Sequence, residues 1–171
     1  MSFYRDVTSP SLVNLEEALD STLHLYAKQI AVQEITVSKQ YQSHGAQIKS
    51  YHGEIRQVFS TLLVNAIEAV PKGGRLTLRI SKSRKWDKNP ASRGLRVTLA
   101  DNGCGIPGHN KERLFEPFFT TKGENGTGLG LWVAHGIVSR LGGSMSMRTR
   151  VQPREESGTC FSIFLPNQSP K

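Results

Sequence analysis

The chain has 171 residues, 37% of them hydrophobic, with a formal net charge of +8. That length suits one hydrophobic core rather than two. No run approaches the roughly 18 apolar residues of a membrane span, and the opening Met-Ser-Phe-Tyr-Arg-Asp lacks the basic start and apolar stretch of an export signal. No membrane contact is expected, and the chain reads as cytoplasmic.

Cys104 and Cys160 stand far apart with no metal-ligand spacing around them, which fits a reducing compartment and gives no support to a disulfide framework or a zinc site. Much of the basic excess is local. Lys82, Arg84, Lys85, Lys88 and Arg93 share a segment with Asn89-Pro90 and Gly94, which reads as a long solvated hairpin loop. With Trp86 as its only interleaved aromatic, that segment is not expected to bind nucleic acid.

In chain order, Leu15, Ala18, Leu19, Leu23, Tyr26, Ala27 and Ile30 recur every three or four residues, which predicts an amphipathic helix from Asn14 to about Ile30, with Leu12 to Asn14 leading into it. Ile35 to Tyr41 and Gln47 to Tyr51 read as short strands. A second helix is predicted from Glu54 to Val70, where Ile55, Val58, Phe59, Leu62, Leu63, Ala66 and Ile67 form one apolar face and Pro71 with Gly73-Gly74 stops it. Arg75 to Ile80 and Leu95 to Ala100 alternate as antiparallel strands. The stretch from Gly103 to about Gly126 is loop-like, with a turn near Lys111 to Phe115. A third helix runs from about Gly128 to Leu141 before Gly142-Gly143. Ser144 to Val151 and Thr159 to Leu165 are strands on either side of a polar turn.

Four stretches carry chemistry. Asn65 lies at the edge of the second helix's apolar face, one turn after Thr61 and one turn before Ala69. Its amide oxygen suits Mg²⁺ sharing its shell with water and phosphate, although a surface asparagine is the plainer alternative. Asp101-Asn102-Gly103-Cys104-Gly105-Ile106-Pro107 follows a strand, so its carboxylate can enter a pocket where glycines admit a flat ring and Ile106 gives an apolar wall. The same letters also fit an ordinary strand-ending turn. Phe115-Glu116-Pro117-Phe118-Phe119-Thr120-Thr121-Lys122 reads either as a lid anchored by aromatics, with Lys122 reaching phosphate, or as a satellite apolar cluster. Gly126-Thr127-Gly128-Leu129-Gly130-Leu131 opens a helix whose free N–H groups favour an anion, or else is only a tight packing turn.

Taken together and in order, these stretches resemble the asparagine, first glycine, phenylalanine and second glycine boxes of the histidine-kinase catalytic domain. That domain is a member of the ATPase superfamily shared with gyrase, Hsp90 and MutL. The resemblance extends from about Asn14 to Pro166 and implies an α/β fold, a two-layer sandwich with a mixed β-sheet covered on one face by helices (the Bergerat-type ATP-binding fold). Residues 1–13 would then be a linker or the tail of a dimerisation and phosphoacceptor hairpin, 14–166 the ATP-binding domain, and 167–171 a disordered tail.

By match of motif positions, the resemblance implies ATP and Mg²⁺ as cofactors. Asn65 would hold the metal, Asp101 the adenine amine, and Gly103, Gly105 and Ile106 would border the base with Ala69 near it. Lys122, Gly126, Thr127, Gly128, Leu129, Gly130 and Leu131 would contact the phosphate side, and Thr159 would reach adenine through water. Thr61 departs from the pattern: many histidine kinases have asparagine there, and ATP-splitting relatives have a glutamate that activates water. Its absence favours delivery of the γ-phosphoryl group to an acceptor other than water.

None of His24, His44, His52, His109 and His135 lies in the Ser-His-Glu-Leu-Arg-x-Pro context of a phosphoacceptor, so no catalytic residue is assigned. Ser2 to Pro10 resembles the end of the missing hairpin, which makes the chain a fragment whose partners are that hairpin and, through it, a response regulator. A protein serine kinase or anti-sigma factor of the same superfamily, and a non-catalytic nucleotide-binding module, are the alternative readings.

Overall fold

The computed structural model describes residues 9–85, 92–121, 123, 126–151 and 156–167. Its elements run β1 (Ser11–Asn14), α1 (Leu15–Leu25), α2 (Ala27–Val32), β2 (Thr36–Gln42), β3 (Gln47–Ser50), α3 (His52–Ala69), β4 (Arg75–Lys85), β5 (Ser92–Asp101), α4 (Gly108–Lys111), α5 (Gly130–Arg140), β6 (Ser144–Arg150) and β7 (Gly158–Pro166). The main sheet has the order β2-β4-β5-β7-β6, with β2 parallel to β4 and the other pairs antiparallel. It is the mixed sheet with helices that the resemblance implied.

Strand alternation decides which face is covered. Leu76, Leu78 and Ile80 of β4 are buried, as are Val97 and Leu99 of β5 and Phe161 and Ile163 of β7, whereas Thr77, Arg79, Thr98 and Ser162 point the other way and are not. Except for Leu76, which packs in a smaller cluster with Ile35, Ala66, Ile67 and Val70, the buried set joins Leu19 of α1, Phe59, Leu62 and Leu63 of α3, and Ala134 and Val138 of α5 in one core. On the opposite face polar groups pair across strands. Arg79 donates to Gln40 Oε1 through Nη2 at 2.7 Å, and Arg96 donates to Ser162 Oγ at 3.1 Å.

Several elements differ from their sequence pattern for definable reasons. The first helix is two helices, because at Tyr26 (φ −103°, ψ 9°) the backbone N–H turns back to Leu23 O and the phenol bonds Ser60 on α3. Its start agrees with expectation: Asn14 is the N-cap, its Oδ1 accepting from Glu16 N at 3.0 Å and Glu17 N at 3.4 Å. Leu12 to Asn14, expected as a lead-in, belongs to β1, paired antiparallel with β3 on the N-terminal side of the boundary expected at residue 14.

The basic hairpin is a loop only in part. β4 and β5 stay in register out to Lys85↔Ser92, so Lys82, Arg84 and Arg93 are strand residues, while Trp86, Lys88, Asn89 and Pro90 lie outside the described residues. The short helix starts earlier than expected, at Gly108 after Pro107, and α5 starts at Gly130 because Gly128 sits at φ +66°. The second predicted helix ends at Ala69, since Val70 precedes a proline and is extended (φ −82°, ψ 143°). No described helix is long and apolar enough to cross a membrane.

Candidate functional site

A cavity of about 650 Å³ opens where the C-terminal half of α3 meets the end of β5, the 105–121 segment, the start of α5 and the inner face of β7. Two contacts bring α3 and the loop after β5 together. Cys104 N–H donates to Ala69 O at 3.3 Å, satisfying a carbonyl that the helix leaves unpaired. Gly103 passes so close that a β-carbon on it would be 2.4 Å from that same oxygen. Asn102 sets the loop's departure, its Oδ1 accepting Arg75 N–H at 2.6 Å.

Asp101 ends β5 with its carboxylate at the cavity. Among the described residues its hydrogen bonds fall on one oxygen: Oδ1 accepts Gly103 N–H at 2.8 Å and Thr159 N–H at 3.2 Å. Oδ2 is therefore the oxygen left for a ligand. Burial raises the carboxyl's pKa above the ordinary aspartate value, and the two N–H bonds only partly oppose that.

The expected residues converge well but not completely. Asn65, Ala69, Asp101, Gly105, Ile106, Gly126, Thr127, Gly128, Gly130, Leu131 and Thr159 all line the cavity. Gly103 and Leu129 do not: Gly103 orients Asp101 through its N–H, and Leu129 N–H bonds Thr127 Oγ1 at 3.4 Å. Lys122 lies outside the described residues. Thr61 faces the start of α5, its Cγ2 3.2 Å from where a Gly130 β-carbon would be.

The three phenylalanines part company. Phe119 lines the cavity, with the Arg113 guanidinium 4.6 Å from its ring centroid, while Phe115 packs on His135 at 5.0 Å. Phe118 is 74% exposed and holds a left-handed backbone (φ +65°). Sequence reasoning missed Glu68, Asn110 and Phe161 as wall residues. Glu68 was findable from its i+3 spacing to Asn65, and Phe161 from its alternation with Thr159, whereas Asn110 had no local signal.

The wall combines apolar side chains (Val64, Ala69, Ile106, Leu131) with the carboxylate of Asp101 and a helix start without a side-chain cap. An apolar slot with a buried acceptor fits a heteroaromatic ring bearing an amine. Uncapped first-turn N–H groups fit an anion.

Residues 52–169 match the family model described as histidine kinase-, DNA gyrase B-, and HSP90-like ATPase. Over 170 residues the chain is 33% identical to sensor kinase CckA of Brucella abortus, covering 95% of this chain and 18% of that protein. It is 30% identical to sensor histidine kinase ZraS of Escherichia coli over 90% of this chain and 30% of that one. The chain thus spans less than a third of the length of these curated relatives. Among solved structures, the catalytic domain of histidine kinase ThkA superposes with a TM-score of 0.78 at 28% identity, over 94% of this chain and 97% of that one.

Proposed function

Since the chain belongs to the family of histidine kinase-, DNA gyrase B-, and HSP90-like ATPases, we propose that it is the ATP-binding catalytic domain of a sensor histidine kinase and delivers the γ-phosphoryl group of ATP to a histidine on a dimerisation hairpin outside these residues. The observation that carries the reading is convergence. An amide on α3, a carboxylate ending β5 and a glycine-lined helix start, far apart in sequence, face one cavity.

In this reading Asp101 Oδ2 accepts the exocyclic amine of adenine, and its partner oxygen is held by Gly103 and Thr159, so the acceptor is oriented before the base arrives. Ile106, Ala69 and Leu131 give the ring its apolar contact. The start of α5 holds the phosphates through backbone N–H groups. Asn65 would hold Mg²⁺, which when bound neutralises charge on the transferring phosphoryl group.

Thr61 supports transfer over hydrolysis, because it offers no carboxylate to activate water from that position of α3. The chain would meet its response regulator only through the phosphorylated hairpin. ThkA, a relative at 25% identity in that comparison, has been crystallised in complex with response regulator protein TrrA.

Calorimetry of the chain with ADP, with and without Mg²⁺, is the first test, and saturable 1:1 binding strengthened by the metal is expected. Incubation with labelled ATP and a separately supplied histidine hairpin should then label the hairpin. Absence of adenine-nucleotide binding would overturn the proposal at its first step.

A further inference from the structure

One hydroxyl just outside the cavity has every hydrogen-bonding capacity in use. Thr149, on edge strand β6, accepts the N–H of Ile106 at 2.7 Å, donates to the carbonyl oxygen of Gly158 at 3.0 Å, and lies 3.2 Å from the hydroxyl of Thr159. A threonine hydroxyl has one proton and two lone pairs. Since a carbonyl oxygen only accepts, Thr149's proton is committed to Gly158, and the remaining contact must run from the Thr159 O–H to Thr149.

That fixes which way Thr159 faces. Thr159 is 5% exposed and lines the cavity, and with its proton turned toward β6 it presents only lone pairs to a ligand. Asp101, which takes Thr159's own backbone N–H, also presents an acceptor there. The polar end of the cavity is therefore rich in acceptors. The loop is pressed onto β6 closely enough for Thr149 to reach it: Gly105, at φ +76°, leaves so little room that a β-carbon would be 2.0 Å from Arg150 O.

We propose that Thr149 is a positioning residue for base selectivity: by holding Ile106 and taking the proton of Thr159, it keeps the base end of the cavity accepting, which favours a 6-amino purine over a 6-oxo purine. The proposal rests on the nucleotide reading above. Thr149 itself does not line the cavity, so it acts through Ile106 and Thr159.

The test compares the unsubstituted chain with Thr149→Val, which keeps the shape and loses the hydroxyl, and Thr149→Ser, which keeps the hydroxyl. Affinities for ADP and IDP are measured by calorimetry, and exchange of the Ile106 amide hydrogen is followed in the unliganded chain. In Thr149→Val the freed Thr159 hydroxyl can turn its proton into the cavity, so the ADP-to-IDP affinity ratio should fall by about tenfold, the size of one hydrogen bond. Thr149→Ser should restore it.

Loss of ADP and IDP binding by equal factors in Thr149→Val would make Thr149 a purely structural residue and overturn the proposal, as would an unchanged ratio. The Ile106 amide needs no variant: exchange in the unsubstituted chain at the rate of an open loop overturns the clamp even if Thr149→Val does not fold. A protected Ile106 amide in a chain that binds neither nucleotide would instead sink the nucleotide reading, and the selectivity with it.

Discussion

Gly128 and Phe118 are in backbone contact: a β-carbon on Gly128 would lie 2.4 Å from the carbonyl carbon of Phe118. Both residues hold left-handed backbones, at φ +66° and +65°. The strap carrying Phe118 is therefore seated on the approach to α5 at a point where only glycine fits.

Gly128→Ala meets both a steric and a conformational penalty, which must be relieved by displacing the strap, since the sheet lies elsewhere. Strained backbone of this kind costs about 1–3 kcal/mol, so ADP affinity should fall roughly 5- to 150-fold. The far-UV circular dichroism spectrum should stay unchanged. Unaltered affinity would mean that the contact plays no part in binding.

At Asp101 the two carboxylate oxygens have different duties, and Asp101→Asn exploits the difference. An asparagine oxygen can keep the bonds from Gly103 and Thr159, which leaves its NH₂ facing the cavity, a donor opposed to a donor amine. Calorimetry should show ADP affinity lower by roughly 10- to 150-fold, the range for a hydrogen bond to a charged group. Retained affinity would remove Asp101 from the base site.

The raised pKa of Asp101 gives two pH effects of opposite sign. A proton taken up by this carboxyl goes to Oδ2, because Oδ1 already holds two N–H groups, and it turns the ligand-facing acceptor into a donor. ADP affinity should decline as pH falls through the raised value, a step absent in Asp101→Asn. For folding, burial favours the protonated form, so the group's contribution to stability is complete below its unfolded pKa and is lost as pH rises through the folded one. At pH 7 thermal unfolding of Asp101→Asn should therefore come no lower than that of the unsubstituted chain.

Asn65 and Phe59 share α3 but face different surroundings, so their substitution should separate binding from stability. Asn65→Ala should abolish the strengthening of ADP binding by Mg²⁺ while the far-UV circular dichroism spectrum stays that of the folded chain. Phe59, fully buried against the sheet, should cost about 3–5 kcal/mol as Phe59→Ala, read from chemical denaturation. A metal effect that survived in Asn65→Ala would reassign the cation to other groups.

Periodicity made α3 and α5 legible because one face of each is apolar, and Asp101 was legible as a strand end followed by glycines. The Tyr26 break was not, since it follows from a phenol bonding Ser60, 34 residues away, and a local pattern carries no trace of that partner. The strand at Ser11–Asn14 was hidden similarly, its apolar content being too brief to show a period without β3 beside it.

The amino-acid sequence by itself determined which residue types were available for the site: an amide, a carboxylate and a glycine-rich helix start, each set by its neighbours along the chain. Only the tertiary structure decided that they meet, which Asp101 oxygen takes the N–H groups of Gly103 and Thr159, and that Thr149 directs the Thr159 proton. Those outcomes depend on hydrogen bonds between strands and loops distant in the chain, whose directions are fixed only when the sheet closes around them.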